Sequence, residues 1–573
     1  SSLSRDTRLD VEDRLKNGKM RAVVTSTSLE LGLDIGSIDV VAQIGSPKSI
    51  SRCIQRIGRS GHSLDRVSKG YLIAMERDAL VENAVICMHA MKGNLDRVYI
   101  PKGALDVLAQ HIVGMAIERR WKVQDAYNVV SRSYCYHGLS IETFRRVLKY
   151  LSGGYQGLDR YRVYGKIWYD EEQDEFGRKG SMIRVIYSTN IGTIPDEVAV
   201  KVYTLDSKWV GNIEEEFLER LSKGDIFVLG GKTHEFISAK GFRAYVRNAE
   251  GVKPTIPSWF SEMLPLSFDL GEAIGKLRGQ IFDMFKQNYT MKNIVSLIKS
   301  ETFSDDYAAN AIVSYMKAEY DFLKLLGVKG FPSDKNMVVE NFVDGLGRSN
   351  LIFHTMFGRR VNDALSRAYA NVAKQMTNRN VMVTVNDSAF MLTLAKNNKV
   401  DASILVRRVT SKNVKALLLD AVKHTEMVRR RFRHCSTRAF MVLKNYKGYE
   451  ITVAKQQTNA EILMKLCEGL DSFPVLEEAY REVTEDLMDV NTATKVLQDI
   501  ERGKRNVVIC NESDVPSPFS HDLIIMGYTD VVLMHDRKEL LESLHEMVMK
   551  RIKGEKPAPL ILKKKKWDRV SHV

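Results

Sequence analysis

Two short apolar runs near the front of the chain, MRAVVTS (residues 20–26) and IDVVAQIG (38–45), constrain the fold most. Both are rich in β-branched residues and neither alternates apolar with polar, the pattern of strands covered on both faces in a parallel α/β sheet. The loop LELGLDIGS lies between them, and a helix is predicted to start near Ser49. From Arg5 to about Gly70 the order helix, strand, loop, strand, loop, helix predicts part of a doubly wound α/β lobe.

The chain has 573 residues, enough for roughly three to five domains, because single cores stop growing well below that length. In SIETFRRVLKYL the residues Phe144, Val147, Leu148 and Leu151 recur at helical spacing behind Ser140, leaving Arg145, Arg146 and Lys149 outward. Short helices of this kind are compatible with a winged-helix module and equally with any small helical bundle. Between 160 and 250 the period changes, and SMIRVIYST, EVAVKVYTL, DIFVLGG and HEFISAKGFRAYVRN predict the strands of a small antiparallel barrel or sandwich. Pro254, Pro257 and Pro265 mark a strap. Beyond Phe268, helices such as GEAIGKLRGQIFDMFK and VNDALSRAYANVAKQM mix with strands such as NVMVTVND and RNVVICN, predicting an α+β domain. The expected units are 1–98, 99–158, 159–264 and 265–573.

Lys and Arg number 85 against 71 Asp and Glu, a formal charge of +14 that favours a polyanionic partner. The excess is uneven: from Arg407 to Arg438, both included, there are ten Lys or Arg, opposed only by Asp420 and Glu426. Six scattered cysteines without a C-x-x-C pair predict a reduced, cytoplasmic protein with no structural metal. No run approaches the ~18 apolar residues of a membrane span. His354, His434 and His521 have no carboxylate pair or second ligand beside them in the sequence and are read as structural.

The chemistry concentrates in TSTSLELGLDIG (25–36) and QRIGRSGH (55–62). Thr25 and Ser26 offer hydroxyls after a strand, Gly32 lets the loop approach a ligand, and Asp34 is a carboxylate beside it. One strand later, Gln55 can orient a water or a phosphate oxygen. Arg59 is a planar, permanently charged donor suited to a phosphoryl transition state.

Together these stretches resemble motifs V and VI of superfamily 2 helicases, and QRIGRSGH, ending in His62, resembles the large helicase-related (Lhr) family in particular. LSRDTRLDVEDRLKNG, IPSWFSEMLPLSFDLGEAI, FHTMFGRRVNDALSRA, FRHCSTRAFMVLKNY, EEAYREVTEDLMDV and VPSPFSHDLI extend the likeness to about residue 535, most closely to archaeal members. The resemblance implies a multidomain α/β and α+β protein: a partial second RecA-like lobe, a winged helix, a small β-barrel and a large α+β domain. It implies an ATP-driven translocase moving 3′ to 5′ on single-stranded DNA and unwinding DNA or RNA–DNA hybrids, with RNA a further candidate partner. By motif, Arg59 would be the arginine finger, Gln55 and Arg56 phosphate and coupling residues, and Gly32, Asp34 and His62 neighbours of the nucleotide. Thr25 and Ser26 would touch the nucleic-acid backbone, and Trp259, in the strap, would stack on a base. Arg145, Arg146, Arg359, Arg360 and Arg431 are further candidate contacts.

A helicase also needs a loop whose backbone cradles ATP phosphates and an acidic motif that holds Mg²⁺. No G-x-x-x-x-G-K-[ST] occurs, and in the nearest stretch, GDIFVLGGKT, Ile226 stands where the first Gly should be. That stretch is read as a hairpin turn. The expectation is therefore half an ATP site, inactive alone and completed by a first lobe absent from this sequence, the alternative being a nucleic-acid-binding or annealing module without ATPase activity.

Overall fold

The computed structural model describes residues 5–25, 38–61, 67–155, 157–158, 160, 163–195, 199–214, 217–218, 224, 226–229, 232–240, 243–249, 265–527, 534–555 and 557. Helix α1 (Arg5–Lys16) precedes β1 (Val41–Ile44), α2 (Ile50–Ile57), β2 (Gly70–Ile73) and α3 (Arg77–Met91). β1 and β2 pair in parallel as a two-stranded sheet. Ser49 caps α2, its Oγ accepting from the Arg52 N–H at 3.4 Å, and Asp96 accepts the Ser51 N–H at 2.9 Å. Residues 20–25 form no strand, contrary to the sequence expectation, and Val24 is 97% exposed. No described strand lies alongside them, and an apolar run without a partner ladder has nothing to order it. β1 is likewise covered on one side only, with Ile44 65% exposed.

The winged-helix unit contains α4 (Leu105–Glu118), β3 (Trp121–Lys122), α5 (Val123–Ser131), α6 (Ile141–Ser152), β4 (Ile167–Asp170) and β5 (Glu175–Arg178). Phe144, Val147, Leu148 and Leu151 of α6 are buried as their spacing requires, and Ser140 caps the helix by accepting from Thr143 N–H at 3.2 Å. The antiparallel sheet β3-β5-β4 joins Trp121 to Phe176, so it crosses residue 158, where the sequence divided two units. SMIRVIYST is a helix, α7 (Ile183–Asn190), not a strand. Its apolar residues Ile183, Ile186 and Tyr187 also fit a helical face, and packing on α4 decides between the two readings: a Cβ added at Gly114 would meet the Tyr187 hydroxyl at 2.8 Å.

β6 (Ala199–Thr204), β7 (Trp209–Glu214), β8 (Ile226–Leu229), β9 (Lys232–Lys240) and β10 (Arg243–Asn248) form one sheet in the order β7-β6-β10-β9-β8. Pairing is antiparallel except between β6 and β10. Leu229 pairs with Lys232, so GDIFVLGGKT spans a hairpin. The sheet curls around Val200, Val202, Ile213, Phe227, Ala244 and Val246. Its edge strands approach each other: a Cβ at Gly211 would lie 3.3 Å from the Leu229 side chain.

The remaining domain opens with α8 (Phe268–Lys286), α9 (Met291–Thr302) and α10 (Asp306–Leu325). Then come β11 (Asn336–Val343), β12 (Ser349–His354), α11 (Arg359–Thr377), β13 (Met382–Val385), β14 (Ala389–Thr393), α12 (Glu426–Arg438), α13 (Pro474–Arg481) and β15 (Asn506–Ser513). The sheet runs β13-β14-β12-β11-β15, with only β11–β15 parallel. Two cores cross unit boundaries. One joins α4 and α6 to α11 and α12, and the other joins Cys53, Val81 and Val85 to α8 and α10.

Candidate nucleotide and nucleic-acid site

The turn after α2 is held from both sides. Gly58 N–H donates to Ile54 O at 2.8 Å, and Gly61 N–H reaches across to Ile38 O at 3.0 Å. Between them, buried Ser60 accepts from Lys69 N–H at 2.9 Å and donates to the Ile57 carbonyl at 2.7 Å. Gly61 has φ +68, and a Cβ there would lie 3.0 Å from Val67 C and Ser68 N, so only glycine fits without strain. Arg59 stands in this turn, half-buried, its Nε donating to Gln55 O at 3.4 Å. Gln55 is exposed one helical turn earlier, so the two share a face. Arg56 points the other way, donating to Gln43 Oε1 on β1 at 2.9 Å. Thr25 is exposed. Ser26, Gly32, Asp34 and His62 lie outside the described residues, as does Trp259.

Sequence reasoning missed the polar seam behind this turn. Lys48 lies 2.7 Å from Glu82 and 3.1 Å from Asp387. Burial pulls the ammonium toward neutrality, but the two carboxylates outweigh it and hold its pKa above the ordinary lysine value. Burial acts on Glu82 in the opposite sense and raises it. Asp78 accepts from Tyr315 Oη at 3.0 Å and Ser388 Oγ at 3.1 Å, beside Arg278 at 3.3 Å. The available signal was two carboxylates, Asp78 and Glu82, one helical turn apart in the mostly apolar helix α3.

The predicted nucleic-acid arginines are engaged by protein acceptors. Arg145 pairs with Asp174 at 3.0 Å, and Arg146 with Glu477 at 2.6 Å and Ser472 O at 3.3 Å. Arg360 donates to Glu485 O at 2.8 Å, and Arg431 reaches Glu482 at 3.5 Å. Arg359, at the start of α11, is held more loosely, 4.0 Å from Asp363. Two residues of the basic run fold inward on α12. Arg433 is 2% exposed and donates to Gln457 at 3.1 Å; Arg438 is buried between Asp106, at 2.5 Å, and Glu482. Asp106, Cys435 and Glu482 come close enough to suggest a metal cluster, but the Arg438 guanidinium is already paired with both carboxylates and stands where an ion would sit, so the residues do not fit a cation.

The histidine reading needs one correction. His354 Nε2 lies 3.0 Å from the buried Glu340, and Ser520 Oγ donates to the same carboxylate at 2.5 Å. Strand pairing brings Glu340 opposite Ile352, which no local spacing discloses. Serine and glutamate meet the same imidazole nitrogen, which is not the relay a nucleophilic triad uses. Burial pushes Glu319 up to about 7, with Glu340 adding to the rise and His354 opposing it. Burial, followed by the charge of Arg77, drives His521 down to about 3.

Three family models match the chain: Helicase conserved C-terminal domain over residues 1–63, Large helicase-related protein, winged helix domain over 89–256, and DEAD/H associated over 331–520. The ATP-dependent helicase Lhr-Core protein 2 of Thermococcus barophilus is 44% identical over 553 residues, covering 96% of this chain and 63% of its own length. The ATP-dependent helicase Lhr-Core of Methanothermobacter thermautotrophicus is 45% identical over 554 residues, with the same coverage. This chain thus spans under two thirds of those relatives. The structure of Mycobacterium smegmatis helicase Lhr bound to single-stranded DNA and AMP-PNP shares the fold, with a TM-score of 0.68 at 24% identity over 91% of this chain and 61% of that one. No helix among the described residues is long and apolar enough to cross a membrane.

Proposed function

The chain belongs to the large helicase-related family, and from that premise we propose that it is the arginine-finger half of an ATP-dependent helicase moving 3′ to 5′ on single-stranded DNA. The observation that carries this reading is the pairing of Gln55 and Arg59 on one face of a turn held by Ser60 and Gly61. A preorganised guanidinium costs no rearrangement when charge builds on a transferring phosphoryl group. Bound ATP with Mg²⁺ supplies that phosphoryl group, held mainly by a first lobe that this sequence does not contain.

In this reading Arg59 neutralises charge, Gln55 orients the attacking water, and Arg56 couples α2 to the sheet through Gln43. Gly32, Asp34 and His62 complete the nucleotide contacts. Thr25 and Ser26 hold the nucleic-acid backbone and Trp259 stacks on a base. Arg359 is the best placed of the five arginines, since it opens a helix and has the longest ion pair among them. Arg145, Arg146, Arg360 and Arg431 would first have to leave their present partners. RNA–DNA hybrids and RNA are the further substrates to compare.

The test is phosphate release, with a single-stranded oligonucleotide present, by this chain alone and by a form extended with the first lobe. The extended form is expected to hydrolyse ATP and the chain alone to be inactive. Arg59→Ala should lower turnover of the extended form by about 10³-fold or more. Equal turnover by that variant would remove the finger assignment.

A further inference from the structure

We propose that the outward face of the curled five-stranded sheet is a separate grip for single-stranded nucleic acid, with Trp209, Tyr203 and Tyr245 as stacking platforms and Lys201 and Arg243 as phosphate partners. The proposal rests on the family reading above, which makes a polynucleotide the expected ligand, and adds a site to it.

Trp209 carries the argument. Alternation along β7 would turn it inward with Gly211 and Ile213, the side that packs against Leu229 and the barrel core. The register shifts instead. Val202 pairs with Gly211 but Tyr203 pairs with Trp209, an irregularity that places one extra residue in β7 and reverses the facing of what precedes it. Trp209 is consequently 58% exposed. Bulges re-aim side chains, and this one turns the indole away from the barrel core and into solvent.

The neighbouring strands continue the row. Tyr203 pairs with Tyr245, so indole, phenol and phenol lie in register across β7, β6 and β10, at interstrand spacings of about 4.8 Å. Both tyrosines are half-buried and lie between inward-facing neighbours, Val202 on β6 and Ala244 and Val246 on β10. Two residues along, Lys201 pairs with Arg243 on one side and Asn212 on the other, and all three are exposed. The Arg243 guanidinium stands 5.7 Å from the Tyr203 ring centroid. Acidic groups border this patch: Asp206 lies in the β6–β7 turn, Glu214 ends β7 two residues beyond Asn212, and Glu235 is held by Arg247 at 3.5 Å.

An aromatic row beside a cationic row on a sheet matches the alternation of base and phosphate along a single strand. Sheet readers of this kind stack two or three bases. Two exposed cations beside the aromatic row match the phosphates of a polynucleotide, whose bases the rings can stack on.

The experiment titrates the full chain into fluorescein-labelled 20-nucleotide dT and U strands and follows anisotropy at several salt concentrations. Trp209→Ala should weaken binding by about 10-fold, and Trp209→Phe should recover most of it. The double variant Lys201→Ala/Arg243→Ala should make the log Kd against log salt slope shallower by about 1.4, two single-strand phosphate contacts. Circular dichroism confirms the fold of each variant, and the surface double variant keeps the test open if the tryptophan change disturbs it. If the unaltered chain binds and all three variants match it in Kd and slope, this face is excluded while the family reading stands. If the unaltered chain binds neither strand, both readings fall.

Discussion

Asp78 Oδ1 and Arg278 Nη2 lie 3.3 Å apart across the seam between the unit carrying the QRIGRSGH motif and the C-terminal domain. Arg278 is 2% exposed, and among the described residues it also meets Met356 Sδ at 3.1 Å and the Phe519 ring at 4.2 Å. Neither replaces a carboxylate. Asp78→Ala should therefore destabilise the junction by about 3 kcal/mol, because it leaves a buried cation without a counter-charge. Adding Arg278→Met should restore part of the loss. Urea titration reads both, and an Asp78→Ala midpoint equal to that of the unaltered chain would contradict the expectation.

Arg438 ties the winged helix to α12 and the segment after α13 through Asp106 and Glu482. Arg438→Met should cost about 3–5 kcal/mol, since two buried carboxylates then face each other. A chelator should leave thermal unfolding of the unaltered chain where it was. A fall in melting temperature with chelator would mean that Asp106, Cys435 and Glu482 do hold a cation.

Glu319 makes stability depend on pH. Its folded pKa, about 7, lies above the ordinary carboxylate value of 4.5 because burial disfavours the charged form. The folded state therefore binds the extra proton between those values, and the associated stability, complete below about 4.5, is lost as pH rises through 7. Glu319→Gln should flatten that dependence, gaining on the unaltered chain as pH goes from 5 to 8. Its amide oxygen can still accept the Phe519 N–H that Glu319 accepts at 3.0 Å. Parallel pH profiles for the two proteins would count against the assignment.

Gly61→Ala should destabilise the turn by about 1–2 kcal/mol, given φ +68 and the crowding at Val67 and Ser68. It should also lower ATP turnover of the lobe-extended protein through misplacement of Arg59, with little change in oligonucleotide affinity. An unchanged turnover would detach the turn's geometry from the finger.

Legibility followed the range of the forces involved. The start of α2 near Ser49 and the helix α6 with its cap at Ser140 were readable, as was the β8–β9 hairpin, because i,i+3 and i,i+4 spacing and turn residues act within a few positions. The resemblance in QRIGRSGH reached the family for the same reason: its glycines and cations serve a local turn. SMIRVIYST failed because a β-branched apolar run satisfies both periods until a neighbour, here α4, chooses one. MRAVVTS failed because a strand exists only with a partner.

By itself the sequence determined where helices such as α2 and α6 would form, where the glycine-bounded arginine would stand, and that the chain carries a surplus of positive charge. Tertiary structure alone decided where that charge points: Arg146, Arg431 and Arg438 turn to Glu477, Glu482 and Asp106, and a shift in strand register turns Trp209 outward. The physical reason is that a charge's partner and a strand's facing depend on residues far away in the chain, which no local pattern contains.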